Sequence, residues 1–155
     1  MRMIVLAVGD RLPAWAEAAT TEYLKRMPRE ARVDMVAIRP EKRAGRAANS
    51  IKQTEAARLL EKQPAGSRLV ALDEHGAQLS TRELADLLQR WMASGRDTCL
   101  MIGGADGLAS TILERAETTL ALSRLTLPHA LARVLLAEQL YRAVSLLHNH
   151  PYHRE

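Results

Sequence analysis

The amino-acid sequence predicts an α/β protein with a parallel sheet, and one repeated pattern carries this prediction. Short apolar runs typical of strands alternate with helical patterns five times along the chain. Strand followed by helix, repeated in this way, favours parallel strands with helices on both faces of the sheet. The length of 155 residues is that of one domain, so we expect a single domain over residues 1–155.

Five strand–helix pairs follow one another along the chain. The first strand, MIVLAV, is a short apolar run, and a capping box in which Ser80 lies three residues before Glu83 marks the start of the third helix. The strands are predicted at residues 3–8, 33–38, 68–72, 98–102 and 119–123, and the helices at residues 13–27, 48–63, 82–93, 111–116 and 130–148.

Three loops are expected at the carboxyl ends of the strands, where ligands bind in sheets of this kind. They are DEHG at 73–76, GGADG at 103–107 and SRLTLPH at 123–129. The glycines of the second loop let a ligand approach the backbone, although an ordinary strand-to-helix turn explains them equally well. That loop lacks both the spacing of a dinucleotide-binding turn and the lysine of a phosphate-binding loop. In the third loop, LTLPH can present backbone N–H and C=O groups to a planar heterocycle, or simply lead into the helix.

The helix predicted at residues 130–148 is apolar over most of its circumference. A helix of this kind is buried on most of its surface, so we expect one side to face the sheet and the other a second subunit. A helix fully internal to one chain is the alternative. Glu138 and Arg142 are four residues apart in the order that favours an intrahelical ion pair. The polar interruptions of this helix are Arg133, Glu138, Gln139, Arg142 and Ser145.

The chain ends in a dense polar cluster, NHPYHRE at residues 149–155. Together with the preceding His148, His150 and His153 make three histidines within six residues and invite a metal site, but Pro151 breaks any helical face and no cysteine or carboxylate pattern accompanies them. No metal is therefore expected. The favoured interpretation is a polar lid over a substrate, with Tyr152 as a stacking ring, His153 as a titratable imidazole and Arg154 as a phosphate-binding fork. A solvent-exposed tail is the alternative.

Basic residues are concentrated in one segment. Residues 25–46 carry eight Lys or Arg against three Asp or Glu, a local balance of +5 in a chain whose formal charge is +4. Such a segment would attract a phosphate backbone, although a solvated charged face explains it as well. With two Trp, three Tyr and no Phe, a sheet that stacks several RNA bases on aromatic side chains is disfavoured.

Several features together favour a cytoplasmic protein. No secretory signal is visible, and no apolar run approaches the roughly 20 residues of a membrane-spanning helix. The single cysteine, Cys99, lies within the apolar run TCLMI and is expected to be a buried small hydrophobe.

Four segments carry a resemblance to a known family. LDEHG at 72–76, IGGADG at 102–107, LSRLTLPHALARVLLAEQLYRA at 122–143 and NHPYHRE at 149–155 resemble the ribosomal RNA large subunit methyltransferase H family of the SPOUT superfamily. The order and spacing of these segments agree over the whole chain. The match in the carboxyl-terminal third is the most specific, whereas residues 25–66 are compatible without being diagnostic.

The resemblance implies more than the patterns alone predict. It implies a Rossmann-like SPOUT fold with a carboxyl-terminal trefoil knot, a homodimer, and S-adenosylmethionine as methyl donor. The implied activity is methylation of N3 of a pseudouridine in 23S ribosomal RNA, on the assembled ribosome. Neither a membrane nor DNA is implied as a partner.

The resemblance also implies roles for individual residues. His129, Tyr152 and His153 are candidates for a base or for positioning the substrate, and the choice among them stays open. Arg142 and Arg154 are expected to anchor RNA. A binding module that keeps the fold without the reaction is the second hypothesis, while a hydrolytic enzyme is disfavoured by the missing phosphate-loop lysine. The residues implied for the cofactor pocket are Leu72, Gly103, Gly104, Ser123, Arg124, Leu125, Thr126, Leu127 and Pro128.

Overall fold

The computed structural model describes residues 1–152, and strands and helices alternate in it as the sequence predicts. The strands are β1 (Met3–Val8), β2 (Val33–Ile38), β3 (Arg68–Gln78), β4 (Thr98–Ile102) and β5 (Thr118–Ala121). The helices are α1 (Ala14–Leu24), α2 (Ala48–Lys62), α3 (Thr81–Ser94), α4 (Ser110–Arg115) and α5 (His129–Leu147), and a 3₁₀ turn at Arg29–Ala31 precedes β2.

The five strands form one sheet in the order β2-β1-β4-β3-β5, and every neighbouring pair is parallel. Helices α1, α3 and α5 pack on one face, and α2 and α4 on the other. The predicted α/β class, with a parallel sheet covered on both faces, is therefore confirmed. Helix α5 lies between α1 and α3 and contacts both of them.

Alternate residues of each strand supply two separate cores, because successive side chains point to opposite faces of a sheet. On the first face, Val5 of β1 is buried in a core with Leu88 of α3 and Leu140 of α5. On the second face, Leu6 is buried in a core with Leu59 of α2. Both faces of the central strands are thus buried, as is usual for all-parallel sheets.

Strand β3 is longer than predicted, because it resumes after a bulge. Leu72 and Ala77 both pair with Leu120 of β5, so the four residues between them bulge out at the carboxyl edge of the sheet. The DEHG segment is therefore an interruption within a strand rather than the predicted loop after it. Strand β5 ends two residues earlier than expected, and α1 ends three residues earlier, at Leu24.

The start of α3 follows the predicted capping box. The Ser80 hydroxyl accepts a hydrogen bond from the Glu83 backbone N–H at 3.1 Å, and the Glu83 carboxylate accepts one from the Ser80 N–H at 2.7 Å. The helix ends at Ser94 and is capped by Gly95, whose φ of 71° is the left-handed conformation that glycine adopts without strain.

Gly76 should be the position at which the bulge of β3 is least tolerant of a side chain. A Cβ there would lie 2.6 Å from the Leu120 carbonyl carbon, and backbone cannot move aside as a flexible side chain can. We expect Gly76→Ala to lower the free energy of unfolding by about 1–3 kcal/mol. Urea denaturation measures this, with Gln78→Ala, at an exposed position of the same strand, as the control. Equal stability of the two variants would contradict the close packing of the bulge.

Candidate active site

The carboxyl ends of β1 and β4 lie side by side at the point where the chain reverses its direction across the sheet. After β1 the chain leaves toward β2 at one edge, whereas after β4 it leaves toward β5 at the other. In open parallel sheets such a switch point forms a crevice in which ligands bind. The segments that meet there begin with Gly9, after β1, and with Gly103, after β4.

The turn after β4 is built so closely that a side chain would clash at Gly103 and would be crowded at Gly104. A Cβ on Gly103 would collide with the backbone of Gly107. A Cβ on Gly104 would lie 3.1 Å from a Val8 methyl carbon and 3.2 Å from Glu55 Oε1. Gly107 itself has a φ of 82°, in the left-handed region. The GGADG segment is therefore a tight turn whose backbone lies open to the crevice.

A second loop, at residues 39–47, is tied to this turn by charge. Arg43 donates two hydrogen bonds to Asp106, at 2.7 and 2.9 Å, and holds the pKa of that carboxyl below its usual range. The Glu41 backbone N–H donates to Glu55 Oε2 at 3.0 Å. Glu55 is only 5% exposed, and among residues 1–152 its other oxygen has no hydrogen-bond partner.

A cavity of about 220 Å³ lies between the ends of β3 and β5 and the helices α3 and α5. Its walls are mostly apolar, with Leu72, Leu120 and Leu122 from the strand ends, and Ser80 and Gln139 are polar groups in the lining. A small apolar pocket with a few polar groups fits a planar heterocycle such as adenine. Leu72, which the resemblance implies for the cofactor pocket, lines this cavity, and Leu122 leads directly into the predicted cofactor segment.

The predicted cofactor segment, from Ser123 to Pro128, connects β5 to α5 as an open loop. Ser123 Oγ accepts the Leu125 N–H at 2.9 Å, and the Leu125 side chain is 77% exposed. Within the described chain, the backbone N–H groups of Thr126 and Leu127 have no acceptor. These donors and the neighbouring cavity together fit the adenosine half of S-adenosylmethionine. Pro128 is the N-cap of α5, as its position in the sequence suggested.

At the start of α5, His129 packs over the end of β1 together with Arg133, which in the sequence is only a polar interruption of an apolar helix. Arg133 is 2% exposed, and its Nε–H donates to His129 Nε2 at 2.8 Å. Its Nη2 lies 3.4 Å from the Ala7 carbonyl oxygen. The missing side chain of Gly9 provides the space, since a Cβ there would lie 2.7 Å from Arg133 Nη2. One sequence signal could have indicated a role for Arg133, namely a charged residue on an apolar helix, four positions after a candidate site histidine.

The pKa values of His129 and Tyr152, the two base candidates that the structure describes, argue that neither residue is a simple proton acceptor. Burial, aided by the positive charge of Arg133, lowers the pKa of His129 to about 4. Burial and a hydrogen bond with Tyr23 raise the pKa of Tyr152, whose hydroxyl donates to Glu138 Oε1 at 3.1 Å. Both groups are therefore neutral at pH 7 and reluctant to take up a proton or to lose one.

Arg142 and Tyr152 come together at the opposite end of α5. The Arg142 guanidinium lies 4.8 Å from the centre of the Tyr152 ring, and it forms the predicted ion pair with Glu138 at 2.7 Å. The Tyr141 ring centre lies 4.7 Å from that of Tyr152. The start of the predicted lid thus packs against its own helix.

One chain does not bring all the predicted site residues together. His129 and Arg142 are thirteen residues apart on one helix, or about 20 Å at a rise of about 1.5 Å per residue. The cofactor segment lies at the His129 end, and Tyr152 at the Arg142 end. His153 and Arg154, the other predicted residues of the lid, lie outside the described residues.

The basic segment at residues 25–46 is more neutralised than the sequence suggested. Carboxylates from outside it, Glu22 and Asp106, pair with Lys25, Arg26 and Arg43. Within it, Arg32 pairs with Asp34, and Arg46 with Glu41. In the part of the chain that the structure describes, the basic side chains of this segment without an ion pair are Arg29, Arg39 and Lys42.

Three further findings bear on the predicted class of protein. Cys99 is fully buried, as expected, and burial raises the pKa of its thiol to about 12. None of the helices described is long and apolar enough to cross a membrane. Over residues 1–152, no three His, Cys, Asp or Glu side chains come together as a metal site.

Comparison with known proteins gives the class. The sequence profile of a family described as "Predicted SPOUT methyltransferase" matches residues 1–153. Two solved structures share the fold. One is described as "Structural insights into the 2-OH methylation of C/U34 on tRNA"; it is 20% identical with a TM-score of 0.53, over 93% of this chain and 91% of that one. The other is a probable methylase family protein from Haemophilus influenzae, which is 11% identical with a TM-score of 0.55, over 99% of this chain and 70% of that one. The fold and the profile define a SPOUT methyltransferase, and the cofactor of this class is S-adenosylmethionine.

Curated relatives narrow the class further. Proteins named ribosomal RNA large subunit methyltransferase H match the full length of this chain: that of Methylobacillus flagellatus is 51% identical and that of Methylibium petroleiphilum 53%, each over 100% of both chains. The chain therefore belongs to the ribosomal RNA large subunit methyltransferase H family.

The ion pair between Arg43 and Asp106 should tie the loop at 39–47 to the glycine turn, which the resemblance implies for the cofactor pocket. Arg43→Met and Asp106→Asn should weaken S-adenosylmethionine binding to a similar degree. The double variant should bind no more weakly than either single variant, because all three variants remove the same ion pair. Calorimetric titration measures this, with Arg46→Met as the control, since Arg46 pairs with Glu41 of its own loop.

The same pair predicts a pH dependence. Because the pKa of Asp106 is depressed in the folded protein, the contribution of the pair is present above the normal carboxyl range and is lost as the pH falls through the depressed value. At neutral pH, a double variant whose loss of affinity equals the sum of the losses in the two single variants would contradict the pairing.

Proposed function

We propose that this protein transfers a methyl group from S-adenosylmethionine to N3 of a pseudouridine in 23S ribosomal RNA, on the assembled ribosome. The observation that carries the proposal is the full-length match, above 50% identity, to relatives named as methyltransferases of large-subunit ribosomal RNA. The pseudouridine and the assembled ribosome in this proposal rest on the resemblance of the terminal segments to the family. The cytoplasm is the proposed location, and residues 1–155 are proposed to form one domain with a carboxyl-terminal trefoil knot.

The cofactor is proposed to lie along three segments at the carboxyl edge of the sheet. Leu72 and the neighbouring cavity would take the adenine ring, with Gly103 and Gly104 at its side. The segment 123–128 would supply backbone hydrogen bonds from Thr126 and Leu127. When bound, S-adenosylmethionine offers a methyl group on a positively charged sulfur, so the main task of the protein is to align it with the acceptor nitrogen.

Arg142 is proposed to anchor the RNA. Its pairing with Glu138 and stacking on the Tyr152 ring fix the orientation of its guanidinium, which is still about one-third exposed. A fixed guanidinium binds phosphate oxygens or a base edge at a lower entropic cost than a mobile one. Arg154 is proposed to share this role, and Tyr152 and His153 to position the nucleotide.

A homodimer is proposed because the two groups of site residues lie at opposite ends of α5 in a single chain. Pairing of two copies through this helix would bring the tail of one subunit to the cofactor loop of the other. Exposed apolar side chains near the loop favour such a contact, with Leu125 on it and Leu131 on the first turns of α5. Trp15, also exposed, lies on the adjacent helix α1.

The test of the activity is a methylation assay with labelled S-adenosylmethionine. Assembled ribosomes, separated subunits and free RNA are offered in parallel, and digestion of the labelled RNA with mass spectrometry identifies the nucleoside. Label at N3 of a pseudouridine of 23S RNA, strongest on assembled ribosomes, is expected. Absence of label from all substrates, with cofactor binding intact, would favour the binding module instead.

Deletion of residues 151–155 should abolish methylation while leaving S-adenosylmethionine affinity within about threefold, because the cofactor segment lies at the other end of α5. We expect at least a 100-fold loss of the single-turnover rate, on the order of losing positioned substrate contacts. Calorimetry provides the cofactor affinity. Equal losses of rate and affinity would show that the tail acts on the cofactor, contrary to its proposed role.

The dimer should depend on the apolar surface at the start of α5. Leu131→Glu places a charge on that surface and should weaken dimerisation by at least about tenfold, the effect of about 1.4 kcal/mol. Val36→Glu is the matched control, since Val36 is similarly exposed (38% against 43%) but lies on the edge strand β2. Sedimentation velocity over a range of concentrations distinguishes them. A monomeric wild-type protein would refute the dimer.

A further inference from the structure

The hydrogen bond between Arg133 and His129 determines where the imidazole carries its proton. A guanidinium has only donors and stays protonated in proteins, so Arg133 Nε must donate and His129 Nε2 must accept. An imidazole that accepts at Nε2 carries its proton on Nδ1. His129 is therefore in the neutral Nδ1–H form, and its one lone pair is already occupied.

The surroundings of the pair oppose any change in this state. Arg133 is almost fully buried, and in the described chain no carboxylate bonds to it or to His129. The charged residues that lie closest along the chain to Gly9 and His129 are Asp10, Arg11 and Arg124, and all three are exposed. An additional proton on His129 would place two positive charges side by side in a buried site.

The pair also lies where a substrate would meet the cofactor. His129 directly follows the proposed cofactor segment, and it packs over Gly9 at the switch point of the sheet. It is the first residue of α5, where the helix dipole is positive. The carboxyl edge at this point therefore combines a buried guanidinium, a helix amino end and one imidazole N–H, all of which favour negative charge.

Resting on the proposed function, we infer that His129 is a hydrogen-bond donor to the methyl-accepting nucleotide through Nδ1–H, and that Arg133 is the positioning residue that holds it in this form. This assigns His129 a role different from the general base considered from the sequence. Arg133 had no role there.

The chemistry of an imide explains why a donor is useful. N3 of a pseudouridine lies between two carbonyl groups, and when its proton leaves to solvent the negative charge spreads over both oxygens. A donor at one oxygen stabilises that anion. The N3 electron pair then forms the bond to the methyl carbon, while the carbon–sulfur bond breaks and its electrons stay on sulfur. His129 keeps its proton throughout, and the buried charge of Arg133 favours the anion from behind.

The protonation state can be read directly by nitrogen NMR of the full-length protein. In the wild type, ¹⁵N shifts of the His129 ring should report the Nδ1–H form, unchanged from about pH 5.5 to 8, while an ordinary histidine titrates near pH 6.5. Because burial, the larger cause of the low pKa, persists in Arg133→Met, this variant should not restore titration in that range. It should instead free Nε2, so that the proton is shared between the two ring nitrogens and the ¹⁵N shifts move away from those of the Nδ1–H form. Arg68→Met is the matched control, because Arg68 is also buried but lies at the amino edge of β3. A wild-type His129 that titrates in this range, or that carries its proton on Nε2, would overturn the inference.

Substitution of His129 separates a donor from a base. Asn places an amide N–H near the position of Nδ1, whereas Gln extends toward Nε2 and Ala has no donor. In single-turnover methylation of ribosomes, His129→Asn should stay within about tenfold of wild type, and His129→Gln and His129→Ala should lose about 100-fold, as for removal of one anion-stabilising donor. Calorimetric cofactor affinity should change by less than about threefold. Equal losses in the Asn and Ala variants would exclude the donor role.

The two readouts distinguish failure of this inference from failure of the proposed function. If wild-type protein methylates no ribosomal substrate, the proposed activity is wrong, whereas the NMR result still reports the state of His129. If wild type is active but its His129 titrates normally, only the inference is wrong.

Discussion

The burial of α5 against the sheet is the constraint on which the other parts of the protein depend. The helix lies between α1 and α3 over the central strands, and Leu136, Leu140 and Ala143 are among its core residues. Because a buried helix of nineteen residues is rigid, it holds His129, which follows the predicted cofactor segment, about 20 Å from Arg142, against which Tyr152 packs. The proposed site, which takes residues from both ends of this helix, would therefore be completed by a second chain.

Close backbone packing is the second element of the design, and it explains the glycines at the carboxyl edge. Gly76 lets the bulge of β3 lie against β5, and Gly103 lets the turn after β4 fold back on itself. Around these contacts the protein places opposite charges on the two faces of the sheet, Arg133 on one and Glu55 on the other. Both are buried, and neither forms an ion pair within the described chain.

Much of the fold could be predicted from local sequence, whereas the pairings across the molecule could not. Apolar runs located all five strands, and the spacing of Ser80 and Glu83 located a helix start, because these signals lie within a few residues of each other. The bulge of β3 depends on its register with β5, and the Arg43–Asp106 pair joins residues 63 positions apart. Arg133 looked like an ordinary polar residue because its burial depends on Gly9, at the other end of the chain. The family resemblance supplied the cofactor segment, which no pattern of charge or periodicity could assign.

The central claim is that each active site takes its cofactor loop from one subunit and its tail from the other. Complementation between two inactive variants tests it most directly: one lacking residues 151–155, the other with Gly104→Val in the cofactor wall. Each should be inactive alone, and co-refolding should form mixed dimers in which one of the two sites is intact. The account predicts that methylation returns to about one quarter of the wild-type level, since half of the dimers carry one good site. No recovery in a mixture with demonstrated mixed dimers would mean that each chain builds its own site, and would contradict the account.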